Sequence, residues 1–187
     1  MARIGVKNFA YAICTKDDET GVAYGTPKRI IGLNQVNINR TVQRATAYGD
    51  DLPLETSSNI SEIRIGITSV NLPLEDKAIL LGHTIDEKGG MITKTDDVAP
   101  YVAIMFESKR SDGAIEYHKW YKGQFAESQE TFDTKGQNIN YQLPSIEASF
   151  VARAHDGRAE YTMVTTDTSI AASWYASVEE EGGVVND

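Results

Sequence analysis

The stretch from Pro100 to Phe125, PYVAIMFESKRSDGAIEYHKWYKGQF, constrains the fold of this chain more than any other. Tyr101 to Phe106 is an unbroken apolar run, too short for an ordinary helix, and it reads as a strand covered on both faces. Ser111-Asp112-Gly113 reverses the chain, because glycine accepts the positive φ that tight hairpin turns demand. Ile115 to Tyr121 returns as a second strand rich in β-branched and aromatic residues, with Gly123 and Gln124 interrupting it before Phe125. A lone hairpin is marginal in water, so the rest of the chain must supply strands or a helix to cover it.

Two stretches supply strands with one dry and one wet face. Val36 and Ile38 share a parity that leaves Gln35, Asn37 and Asn39 on the other, and Ile63, Ile65 and Ile67 oppose Glu62, Arg64, Gly66 and Thr68. These two strands are expected to pair. Between them Gln43 to Asn59 reads as a long inter-strand loop, carrying Tyr48, Asp50, Asp51, Leu52 and Leu54. Spaced apolar residues in a long loop suggest that it docks on a partner. Leu72 to Gly82 has the grammar of a short helix, with proline at its start, acids in its first turn, glycine at its end and a Leu74, Ala78, Leu81 stripe. Ile146 to Arg153 and Ala159 to Thr165, joined by Asp156-Gly157, read as a second hairpin. The expectation is a mainly β (α+β) fold, an antiparallel β-sandwich or barrel with one flanking α-helix, within a single domain spanning 1–187. It has an N-terminal arm over 1–15 and a C-terminal segment over 169–187.

The chemistry is bounded by what the sequence lacks. The 187 residues are 41% apolar, with 18 Lys and Arg against 27 Asp and Glu, a formal charge of -9. That balance grips phosphates poorly and suits neither general nucleic-acid binding nor anionic membranes. No apolar run reaches membrane length and the N-terminus has no signal-like apolar region. Cys14 is the single cysteine, so no intrachain disulfide forms; it reads as a buried strand residue. Lys16 to Gly21 is acidic but lacks the spacing of an EF-hand calcium loop and reads as a solvated loop. His83, His118 and His155 fall in no metal motif, and no phosphate-binding glycine loop or nucleophile elbow occurs. No catalytic residue, metal or cofactor is expected. Trp120, Tyr121 and Trp174 leave a sugar-binding or adhesive β-sandwich as the alternative.

In order along the chain, several short motifs resemble the major tail tube proteins of long-tailed, non-contractile bacteriophages. They are Gly5-Val6-Lys7-Asn8 with Tyr11-Ala12, Tyr24-Gly25-Thr26-Pro27, Ala47-Tyr48-Gly49-Asp50-Asp51, and Leu72-Pro73-Leu74 with Leu80-Leu81-Gly82-His83. Pro100-Tyr101-Val102-Ala103, Trp120 to Phe125, and Phe150 to Arg153 with Asp156-Gly157 continue the series. The likeness fades beyond Ser169. It implies a structural virion protein, made in the host cytoplasm and sited in the tail, whose hexameric rings stack into the conduit for DNA ejection. Its implied partners are further copies of itself, the tail terminator, the tape-measure and distal tail proteins, and DNA that passes without specific binding. In that setting Tyr48, Asp50, Asp51, Leu52 and Leu54 are expected to contact the next ring. Gln35, Asn37, Asn39, Glu62, Arg64 and Thr68 are expected to face the lumen, and Phe9, Tyr11, Ile170 and Trp174 to contact neighbouring subunits.

Overall fold

The computed structural model describes residues 1–49, 52–134 and 141–178, with the side chains of 47–49 and 53–56 left out. In chain order the elements are β1 (Arg3–Asp18), β2 (Gly21–Tyr24), β3 (Lys28–Arg29), β4 (Leu33–Gly49), β5 (Leu52–Ser69), α1 (Leu74–Leu81), β6 (Thr84–Ile85), β7 (Met91–Ile92), β8 (Tyr101–Arg110), β9 (Ile115–Ala126), β10 (Ser145–Val151), β11 (Glu160–Thr165) and α2 (Ile170–Trp174). The fold is mainly β with short flanking helices, as the alternation and the central hairpin imply.

The large sheet is antiparallel and runs β2-β1-β8-β9-β10-β5-β4, with β3 on β1 and β11 on β9. The β8–β9 hairpin lies at its middle, turned through Asp112-Gly113 with Gly113 at φ 87. One buried cluster takes Phe9 and Tyr11 from β1, Ile63, Ile65 and Ile67 from β5, Val102, Ile104 and Phe106 from β8, Trp120 and Phe125 from β9 and Phe150 from β10. Strands from both ends of the order share that core, so the sheet is curled around it, and β4 comes against β1. Gly123 belongs to this packing: a Cβ there would meet the Phe150 ring at 2.5 Å.

Helix α1 closes the core with Leu80 and Leu81. Its end follows from Gly82 at φ 76, where any side chain would strike the Val98 carbonyl at 2.2 Å. The expected stripe is corrected at one position: Leu74 is exposed, and the buried face is Asp76, Ala78, Leu80 and Leu81. Asp76 is held there by the Tyr11 hydroxyl and the Lys28 ammonium, each at 2.7 Å. A second helix, α2, lies in the C-terminal segment where none was expected.

Three further expectations are corrected. Residues 43–59 are not a loop: the β4–β5 ladder runs from Leu33 opposite Ser69 to Gly49 opposite Leu52, so most of this stretch is strand. The N-terminal residues are not an arm: β1 is an inner strand between β8 on one side and β2 and β3 on the other. The Asp156-Gly157 turn joins no hairpin, because β10 and β11 both pair antiparallel with β9. β10 pairs with β9 residues 122–126 and β11 with residues 115–120. They form one interrupted strand from which 152–159 loops out.

Candidate assembly surfaces

The β4–β5 pair divides into two halves. From Leu33 to Arg40 and Ile63 to Ser69 it lies in the body, with β10 pairing β5 as far as Phe150 opposite Ile63. Beyond that point the ladder continues without β10. Thr41 to Thr46 and Ser57 to Ser61 are exposed on both faces, including Val42 and Ile60, so the ribbon stands clear of the body. Its strands extend it by about 30 Å at 3.3–3.4 Å per residue. The Arg40 guanidinium donates to Glu160 of β11 at 2.6 Å and marks the base of this arm. Tyr48 stands opposite Pro53 near the tip, Leu52 is 64% exposed, and Leu54 is in β5. Asp50 and Asp51 lie outside the described residues, as do the side chains of Tyr48 and Leu54.

The wet face of the body half gathers the polar residues that alternation placed together. Gln35 pairs with Thr68, Asn37 with Gly66 and Asn39 with Arg64, and Glu62 lies opposite Thr41. The face continues onto β10 through Ser145, opposite Thr68, Glu147, opposite Gly66, and Ser149, opposite Arg64. Within it Arg64 donates to Glu62 at 2.8 Å and Gln35 to Asn37 at 3.1 Å. The Arg64 hydrogen bond holds the Glu62 carboxyl below its ordinary value. The surface is a wall of amides and hydroxyls, with the carboxylates of Glu62 and Glu147 against the guanidinium of Arg64.

The chain ends differ from expectation. Phe9, Tyr11 and Trp174 are buried against this chain's own sheet, and Ile170 packs at the edge of the same layer. Their apolar area is covered within the subunit, which removes the reason for assigning it to a neighbour. Trp120 and Tyr121 are also buried, so the aromatic platforms of the sugar-binding alternative are absent from the surface.

Sequence reasoning missed an ionic latch. Asp17, read as part of a solvated loop, has a side chain only 3% exposed and accepts Lys122 Nζ at 2.6 Å and the Ala154 and His155 amides at 2.9 and 3.0 Å. Burial raises its carboxyl, but these donors outweigh that and hold it at about 2. Asp17 thereby fastens the 152–159 excursion, which Arg153 closes by donating to Asp156 at 3.0 Å while lying 4.0 Å from the Tyr121 ring centre. The only signal in sequence is an acidic pair next to a β-prone run. Cys14 is half-buried nearby, and burial pushes its thiol up. Two of the histidines serve as structural links. His83 lies between Asp97 and Glu127 at 2.8 and 3.2 Å, and His118 completes a triangle of rings with Phe106 and Trp120, at 5.0 and 5.6 Å from them.

No group of residues that could hold a metal ion occurs among the described residues, and no helix there is long and apolar enough to cross a membrane. No curated protein matches the chain. A family model described as phage tail tube protein matches residues 2–148, which takes in every strand from β1 to β9 and part of β10. With that match over most of its length and a curled antiparallel sheet bearing a long exposed arm, the chain belongs to the phage tail tube protein family.

Proposed function

We propose that this structural tail protein assembles into hexameric rings that stack into a tube, and that DNA passes through the bore during ejection. The observation that carries the reading is the β4–β5 arm. An isolated two-stranded ribbon exposed on both faces is marginal in water, and an assembly that covers it gives it a reason to exist. Tyr48, Asp50, Asp51, Leu52 and Leu54 at its tip are assigned to the neighbouring ring. Head-to-tail contacts use different patches on each copy, and stacking that does not close extends indefinitely. A tail terminator, a tape-measure protein and distal tail proteins are therefore the further partners.

Gln35, Asn37, Asn39, Glu62, Arg64 and Thr68 are assigned to the lumen. A wall of amides and hydroxyls whose Arg64 is already paired offers passing phosphates little to hold. The net charge of -9 favours repulsion over attachment. The role is non-enzymatic, in the virion tail, and the chain acts as one domain, a reading supported by the single large sheet that runs through it.

Electron microscopy of the concentrated protein tests assembly: rings or stacked tubes are expected, and monomers persisting at every concentration would sink the reading. The lumen is tested separately with Asn37→Cys in a Cys14→Ser background. A maleimide too bulky for the bore should leave assembled tubes unlabelled, whereas ready labelling along the wall would put this face outside.

A further inference from the structure

The β4–β5 arm has two unlike sides. On β4, Val42, Arg44 and Thr46 keep the parity of Val36 and Ile38, which pack on the core, and Ile60 and Ser58 stand opposite Val42 and Arg44. The core stops partway along the ribbon, yet the side that faced it continues into solvent, with Val42 45% and Ile60 52% exposed. The other side continues the wet wall through Gln43 opposite Asn59 and Ala45 opposite Ser57, none of them charged. Across 41–46 and 57–61 the single charged residue is Arg44, on the side of Val42 and Ile60. It forms no ion pair among the described residues.

A surface of the matching kind lies towards the opposite end of the same hairpin. β5 ends at Ser69, opposite Leu33, and α1 begins shortly after it at Leu74. The buried side of α1 is Asp76, Ala78, Leu80 and Leu81. That leaves Leu74, Glu75 and Ile79 outward, with Glu75 and Ile79 one helical turn apart, and Val70 is exposed just before the helix. The neighbouring charges Asp76 and Lys77 are taken by Lys28 and Glu130. Glu75 has no ionic partner among the described residues. Each surface is therefore a few exposed aliphatic side chains around one unpaired charge, cationic on the arm and anionic on the helix. Arg44 stands about 36 Å of strand beyond Leu33, on a ribbon clear of the body, and the two charges do not meet within one subunit.

We propose that this side of the arm lies across α1 of a second copy in the adjoining ring, with Val42 and Ile60 on Leu74 and Ile79 and Arg44 paired with Glu75. The inference rests on the tube reading above and names the surface that receives the arm. Local charge selects the occupant: an aliphatic patch holding one free acid fits an aliphatic ribbon holding one free base. Burying the aliphatic sets together also withdraws the ion pair from bulk water. Arm and helix are different patches on each copy, so the contact repeats along a stack without closing. The wet side of the arm is left to the bore, and the polar wall is carried on from one ring into the next.

Charge exchange in the full-length chain tests this. Arg44→Glu alone and Glu75→Arg alone should each raise the protein concentration needed for tubes at least about tenfold in pelleting assays. The double exchange should restore it to within about threefold of the natural chain. Glu75 stands in the first turn of α1, where an acid suits the helix end, and rescue by a substitution on the arm is the outcome that a local effect on the helix cannot give. In a Cys14→Ser background, Arg44→Cys with Glu75→Cys should cross-link copies in oxidised tubes, whereas Gln43→Cys with Glu75→Cys should not. Single exchanges that assemble like the natural chain, a double exchange no better than the worse single, or cross-linking through Gln43→Cys instead would each overturn the inference and leave the tube reading intact. A natural chain that never forms tubes defeats both.

Discussion

The two halves of the β4–β5 hairpin share strands, a ladder and a direction, yet only one half belongs to the core. In the body half Ile63, Ile65 and Ile67 are buried while Gln35, Asn37 and Asn39 face out. In the arm half Val42 and Ile60 are as open to water as the threonines and serines around them. The backbone pairing is indifferent to this change. Ladder hydrogen bonds carry a strand past the point where burial stops, but with little net stabilisation, since each replaces bonds to water. The body half is held by packing; the arm half is held by its ladder, with the described side chains of Thr41 to Thr46 and Ser57 to Ser61 open to water.

That contrast can be broken most completely by removing the arm. Joining Gln43 to Asn59 through an Asn-Gly turn closes the ladder at that pair, removes the rest of the arm and should abolish tube formation in pelleting assays. Unfolding of the free subunit should shift by no more than about 1 kcal/mol, because no core residue is lost. Tubes forming normally would refute the arm's role. Next in size, Ile65→Ala in the body, at a site with no exposure, should cost about 2–5 kcal/mol in urea unfolding. Ile60→Ala in the arm should cost less than about 0.5 kcal/mol. Equal costs would mean that the arm folds back onto the body in solution.

A smaller effect separates packing from ionic fastening. Asp17→Asn should cost about 1–3 kcal/mol by weakening charge-assisted bonds to Lys122, Ala154 and His155. Asp17 sits at about 2 when folded against an ordinary value of 3.8, so its contribution is complete above that ordinary value. It is lost as pH falls through the folded value. The variant should therefore show a flatter decline in stability below about pH 4 than the natural chain. Smallest of all, Arg40→Ala at the base of the arm breaks a half-exposed pair with Glu160 and should cost about 0–1 kcal/mol, visible chiefly as faster hydrogen exchange near Thr41.

The same contrast explains what could be read from sequence. Alternation at Ile63, Ile65 and Ile67 and the Asp112-Gly113 turn report burial and backbone geometry directly, so the central hairpin, the wet face and α1 were legible. Periodicity reports a buried face, and the arm has none, so residues 43–59 carry no strand signal although they pair along almost their whole length. Phe9 and Trp174 were legible as apolar residues needing cover, but the identity of the cover depends on contacts far away in sequence. The latch at Asp17 was hidden for the same reason: its donors lie more than a hundred residues further on.

The inner position of β1 sets the order in which the molecule can be made. Arg3 pairs opposite Arg110 and Ile13 opposite Val102, so the first strand synthesised has no long partner until most of the chain has been translated. The β4–β5 and β8–β9 hairpins close over short loops and can form early, whereas β1 must wait with Phe9 to Ala12 exposed. Loop closure across such a separation is slow, and a waiting apolar strand invites pairing with another nascent copy. For a protein made in many copies for one tail, the hazard is greatest before the subunit is finished. Fewer chains made at once, or a lower temperature, should thus raise the yield of soluble subunit more than any stabilisation of the finished fold.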